Sequence, residues 1–130
     1  MALATIFPTL RYKDPQKAVE WLCEAFGFQA KGVYQDDDGA IVHAELAYGN
    51  GLVMFGQDCG DESLATPAGA ASVYVVVADP DAHHDRAKAA GAVIVRGLTD
   101  QDYGSREYVA KDFEGNIWSF GTYQTALAEA

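Results

Sequence analysis

"AYGNGLVMFG" at residues 47–56 and "DFEGNIWSFG" at residues 112–121 carry the same design. Each sets small turn-forming residues ahead of a short apolar run, and each ends in Phe-Gly. Phe55-Gly56 and Phe120-Gly121 lie 65 residues apart, as do Asp14-Pro15 and Asp79-Pro80. Gly27 and Gly91 lie 64 apart, a drift of one. A period of about half the 130-residue chain marks a duplication. A solenoid would need several short repeats.

Working outward, each copy opens on a strand-like run, "TIFPTLRY" (5–12) and "SVYVVVA" (72–78). An Asp-Pro pair follows in both. Asp14 and Asp79 suit helix N-caps, where a carboxylate accepts from free amides, and Pro15 and Pro80 suit the first helical position. In "PQKAVEWLCEAF" (15–26), Val19, Leu22, Cys23 and Phe26 form an apolar stripe that can cover a sheet. The second helix, "PDAHHDRAKAAG" (80–91), is Ala-rich with a thinner stripe, and Gly27 and Gly91 close the two helices. Three short strands complete each half, near 31–35, 40–48 and 51–56, then near 92–96, 105–111 and 116–122. The expected organisation is one domain of two βαβββ modules, 4–57 and 71–124, joined by a small polar linker, 58–70. The fold class is α+β.

Composition narrows the partners. The chain is 49% apolar and 22% charged, as globular domains are. Its formal charge is −10 and its pI near 4.4. Such a surface repels nucleic acid and anionic lipid and attracts a cationic ligand. Cys23 and Cys59 form no CxxC motif, which fits a reducing, cytoplasmic setting. "MALATIFPTL" (1–10) has neither the basic start nor the long apolar stretch of a signal peptide or membrane span.

The segments "RYKDPQKAVEWLCEAFGF", "DDDGAIVHAEL", "VVVADPDAHHDRAKAAGA", "DYGSREYVAKDFEGN" and "WSFGTY" together resemble the vicinal-oxygen-chelate superfamily. That superfamily contains glyoxalase I, extradiol dioxygenases and bleomycin-resistance proteins, and the look is closest to the metal-free bleomycin-resistance branch. The resemblance implies two modules curled into a cup, helices outside and ligand inside, commonly in a homodimer that completes the cup across subunits. It also implies that enzymes of the group hold a divalent metal with His or Glu from the opening and last strands of each module. Those positions fall here on Phe7, Met54, Ser72 and Ser119. Phe has no donor atom, a thioether suits copper(I), and Ser hydroxyls are poor neutral ligands. A slip of one residue substitutes Pro8, Phe55, Val73 and Phe120, which serve no better. No metal and no other cofactor is expected.

Strand alternation names what lines the cup instead. With Phe7 inward, Thr9 and Arg11 follow it, and Ile6 and Leu10 face the helices. Val42, Ala44 and Leu46 make the apolar side of "IVHAEL" (41–46), leaving His43 and Glu45 to the cup. The offset of 65 pairs them with Tyr108 and Ala110, with Arg106 one step earlier on that face. The expected ligand wall is therefore Phe7, Thr9, His43, Glu45, Met54, Ser72, Tyr74, Arg106, Tyr108 and Ser119. Aromatic faces with a few polar groups suit a flat organic ligand.

Each residue has a plainer reading. His43 with Glu45 is either a general base with its orienting carboxylate or a solvated pair. Arg106 either clamps a ligand carboxylate or pairs with Glu45, and Tyr74 and Tyr108 either stack on ligand or fill strands. Trp118 reads as core, Trp21 as core edge or subunit contact, and His83 and His84 as a solvated helix surface. Asp36, Asp38, Gly39 and Glu45 mimic a calcium loop, but Tyr34 stands where its first acid belongs, so a hairpin turn explains them better.

Three functions remain. The preferred one is a metal-independent protein that binds and sequesters a small aromatic or cationic molecule, such as an antibiotic. The alternatives are a metal-dependent lyase, isomerase or dioxygenase, and a cofactor-free enzyme working through His43 and Glu45.

Overall fold

The computed structural model describes residues 4–58 and 66–125. Most of the expected linker, 59–65, and with it Cys59, lies outside the described residues. In order, the elements are β1 (Thr9–Tyr12), α1 (Pro15–Phe26), β2 (Gln29–Gln35), β3 (Ile41–Tyr48) and β4 (Gly51–Gln57). The second copy follows as β5 (Ser72–Val76), α2 (Pro80–Ala89), β6 (Val93–Asp100), β7 (Arg106–Lys111) and β8 (Ile117–Gly121).

Both helices start as the sequence requires. Asp14 accepts from the Lys17 amide and Asp79 from the Ala82 amide, each with Pro at the first helical position. Gly27 ends α1 at φ 81°, a left-handed conformation open to glycine, with its amide bonded to the Cys23 carbonyl. The cap of α2 is Ala90, and Gly91 at φ 99° follows it.

Each module forms its own four-stranded sheet, in the orders β1-β4-β3-β2 and β5-β8-β7-β6. The first and last strands of each copy pair in parallel, Thr9 beside Met54 and Tyr74 beside Ser119. The other pairings are antiparallel. Each sheet therefore turns one face to the helices and leaves the other open.

The helix side carries the core: Leu10, Tyr12, Ala44, Leu46 and Phe55 from one sheet, Tyr108, Ala110, Trp118 and Phe120 from the other. Expectation and structure part at two points here. Ile6 is 84% exposed and packs on no helix, because β1 begins only at Thr9. Val42 is also exposed, because the β2–β3 register jumps from Tyr34–His43 to Gln35–Ile41 and leaves Val42 as a bulge. Ile41 takes the core position instead.

The modules join through their helices and rings. Phe26 of α1 lies 4.7 Å from Phe120 and 5.5 Å from Trp118, centroid to centroid. The Trp21 indole N–H donates to the Ala90 carbonyl at 2.9 Å, and Arg86 of α2 donates to the Glu24 and Cys23 carbonyls at the end of α1. Trp21 thus sits at the core edge. At the 36–40 turn, the Asp36 carboxylate accepts from the Asp38 and Ala40 amides and Gly39 adopts φ 85°. That geometry belongs to a tight turn whose aspartate is already engaged.

Candidate functional site

The open face of the first sheet is read along its register. Thr9 pairs with Met54, and Met54 with Glu45, so all three share one side. Two residues along β3, His43 joins them, its Nε2 3.0 Å from Glu45 Oε2. Tyr34 stacks on the His43 ring at 5.8 Å between centroids. Arg11 lies on the same side, its guanidinium over Gly56, where a Cβ would come within 2.9 Å of it. The imidazole and carboxylate are about one-third exposed, within reach of a ligand.

On the second sheet the open face holds Tyr74, Ser119 and Val109, paired in that order, with Glu107 beside Gly121 one step away. The Glu107 carboxylate accepts from Tyr74 and Tyr103 hydroxyls, both at 2.7 Å, and from Ser105 at 3.0 Å. Burial opposes its charge, but the hydroxyls of Tyr103, Tyr74 and Ser105 and the field of Arg96 hold its carboxyl below the usual carboxylate range. The same bond pushes the exposed Tyr103 phenol up to about 12.

Two expected wall residues lie elsewhere. Tyr108 is fully buried on the helix side, stacked on Phe120 and bonded to His83. Arg106 shares that side and pairs with Asp81 at 2.7 Å and Asp100 at 3.1 Å, not with Glu45. The cause is register. Glu45 faces Met54 and its counterpart Val109 faces Ser119, so β3 and β7 are offset by 64, not 65. In a strand that single residue exchanges the two faces. The counterpart of His43 is therefore Glu107, which sequence reasoning passed over; the 64-residue spacing of Gly27 and Gly91 is the signal that could have found it.

His83 corrects a further expectation. It is buried, with Nε2 2.8 Å from the Phe26 carbonyl and Nδ1 2.6 Å from the Tyr108 hydroxyl. A carbonyl can only accept, so Nε2 carries the proton and Tyr108 donates to Nδ1. Pro80, His83 and Ala87 are the buried positions of α2, so this His takes a place in the helix's inner stripe. His84 is partly covered, its ring edge-on to Tyr108.

A cleft of about 490 Å³ opens between the β3–β4 hairpin and the edge of β5. Ile6, Phe28, Tyr48 and Val73–Val76 line it, and of the expected wall only Tyr74 reaches it.

Residues 4–120 match the family model described as the Glyoxalase/Bleomycin resistance protein/Dioxygenase superfamily. The chain belongs to that superfamily. The superfamily assignment agrees with the tandem βαβββ modules. Over 124 residues the chain is 34% identical to the uncharacterized protein Rv0887c of Mycobacterium tuberculosis, covering 88% of this chain and 71% of that protein. TioX from Micromonospora sp. ML1 superposes with a TM-score of 0.80 at 36% identity, covering 93% of this chain and 99% of TioX. TnmS3 from Streptomyces sp. CB03234, described as an antibiotic binding protein, superposes at 0.74 with 18% identity, covering 95% and 99% of the two chains. At that identity TnmS3 speaks for the fold.

Enzymes of the superfamily imply a divalent metal, which calls for converging imidazole or carboxylate donors. Thr9 and Met54 pair across one sheet, Tyr74 and Ser119 across the other, and Phe7 precedes β1. None of these side chains offers an imidazole or carboxylate. The open-face carboxylates nearby, Glu45 and Glu107, are engaged by His43 and by hydroxyls. Among the described residues, no group of three or more His, Cys, Asp or Glu could hold a metal ion. The donor set does not fit a hard or borderline divalent cation.

Proposed function

We propose that this superfamily member is a binding protein that sequesters a small aromatic or cationic molecule on the open faces of its sheets, without a metal. What supports the reading is the donor set: the resemblance puts the metal-ligand positions at Phe7, Met54, Ser72 and Ser119, and none of these side chains is an imidazole or a carboxylate. Around them stand Thr9, His43, Glu45 and Tyr74, with Tyr34, Arg11 and Glu107 added by the register. The likeness to TnmS3, itself described as an antibiotic binding protein, supports the choice. So does the charge of −10, for a cationic ligand.

A cytoplasmic homodimer completes the proposal. Among the described residues, β1 and β5 each pair on one side only, and Phe7, Tyr74 and Val76 are exposed beside these edges. A second copy placed there would bring the two open faces into one enclosed cup. No described helix is long and apolar enough to cross a membrane. Titration with a panel of planar antibiotics, followed by calorimetry, should give a saturable site. A flat response across the panel would defeat the reading.

One observation favours a second reading. The His43 Nε2–Glu45 Oε2 contact of 3.0 Å is the geometry of a base with an orienting carboxylate. In a cofactor-free enzyme, His43→Ala would abolish turnover of the bound compound and leave the fold intact.

A further inference from the structure

Glu107 is 6% exposed, yet among the described residues its oxygens accept only from neutral groups. A carboxylate taken out of water ordinarily sits against a cation. Here no described Lys, Arg or His forms an ion pair with it, and the Arg96 charge acts on it only as a field, behind the hydroxyl bonds. Its hydroxyl bonds use one acceptor site on Oε1 and two on Oε2, of about four that a carboxylate offers, so Oε1 keeps capacity.

Aromatic faces frame the group. Tyr74, Tyr103 and Tyr123 are each 41–57% exposed, Tyr103 and Tyr123 meet edge to face at 5.8 Å, and the Tyr123 amide donates to the Tyr74 hydroxyl. The space is built into the backbone: a Cβ on Gly121 would collide with Glu107 Cγ and the Tyr74 hydroxyl. Glycine at the end of β8 lets the carboxylate sit close to the strand beneath the rings.

We infer that Glu107, enclosed by Tyr74, Tyr103 and Tyr123, is an anchor for the positively charged nitrogen of the ligand, an alkylammonium or a protonated aromatic amine. The carboxylate supplies the counter-charge, and the ring faces attract the cation and cover the carbon atoms next to it. This deepens the binding reading and rests on it. Adjacent positions on the open face, Ser119 and Val109, would lie under the rest of the molecule.

The test uses two dyes with one ring system, cationic proflavine and uncharged acridone, titrated by fluorescence at neutral pH. The unaltered chain should bind proflavine about tenfold more tightly than acridone. Glu107→Gln should erase that preference and keep the acridone affinity, whereas Asp37→Asn, which removes an exposed turn charge, should keep the preference. Tetramethylammonium chloride should displace proflavine from the unaltered protein where sodium chloride at equal concentration does not. That arm needs no variant to fold. Equal affinity for the two dyes, a preference that survives Glu107→Gln, or displacement no better than by sodium would each overturn the anchor and leave the binding function standing. Saturation by neither dye would overturn both.

Discussion

Tyr12 and Asp112, 100 residues apart in sequence, meet where the two modules join: the Tyr12 hydroxyl donates to Asp112 Oδ2 at 2.6 Å. The same buried carboxylate accepts from the Trp118 indole, the Asn116 amide group and the backbone amides of Glu114 and Asn116. One side chain thus fixes the β7–β8 turn and holds β1 of the other module against it. Burial, and next the Asp112 charge, push the Tyr12 phenol far above its ordinary value, so it remains a donor. Asp112→Ala leaves five donors without their acceptor and should cost about 3 kcal/mol or more in urea denaturation. Tyr12→Phe removes one bond and should cost about 1 kcal/mol.

The β-α-β-β-β order, both N-caps and the burial of Trp118 follow from local chemistry, and the structure contains each of them. The open face of the first module was legible through alternation, because β1, β3 and β4 keep a common phase. The second module's face was not. Its β7 is displaced by one residue against the copy, and the longer turn at 112–116 restores the offset of 65 before β8. Phase drops by one between the Asp-Pro pair and the helix-closing glycines and returns at the 112–116 turn, so the Asp-Pro and Phe-Gly landmarks both keep 65 and the shift shows in the Gly27–Gly91 spacing of 64. His83 escaped for another reason. A helix surface rich in Ala shows little periodic contrast, and partners from Phe26 and β7 were needed to bury an imidazole.

Acid should weaken the fold through His83. Burial lowers its pKa from the ordinary 6.5; the Phe26 carbonyl bond opposes this, and the nearby Arg86 charge adds to it. The Tyr108 phenol bonded to it is pushed up by burial and brings no negative charge. The unfolded chain therefore takes up this proton at higher pH than the folded one. Stability is fully present above about pH 6.5 and is lost as pH falls toward the depressed folded value. His83→Gln can keep both hydrogen bonds without titrating. Its urea midpoint should change less between pH 7 and pH 5 than that of the unaltered chain; parallel pH profiles would contradict the assignment.

The Phe-Gly endings of the two copies make a prediction about packing. At Gly56 an added Cβ would stand 2.8 Å from the Val42 carbonyl and 2.9 Å from the Arg11 guanidinium. A backbone oxygen cannot step aside as a side chain can. Gly56→Ala should destabilise by about 1–3 kcal/mol. Gly39→Ala is a useful contrast, since nothing lies within 4 Å of its Cβ and only the positive φ opposes it. A thermal-shift series should show the Gly56 variant depending on what replaces Arg11, with Arg11→Ala recovering part of the loss, and the Gly39 variant indifferent to it.

Metal content gives the sharpest separation between sequestration and metalloenzyme chemistry. Cation affinity in an oxygen and nitrogen site depends on how many deprotonated ligands converge, and a lone carboxylate already bonded elsewhere holds a divalent ion weakly. Met54 and Ser119 bring no charge, and the Glu45 carboxylate is already bonded to His43 through Oε2. Elemental analysis of protein purified without chelator should therefore find well under one equivalent of nickel, zinc, iron or manganese, and dialysis against EDTA should leave proflavine affinity unchanged. Glu45→Gln should likewise leave the metal content where it was. A full equivalent that disappears in Glu45→Gln would mean that the carboxylate does turn from His43 to a cation, and the catalytic reading would then replace the binding one.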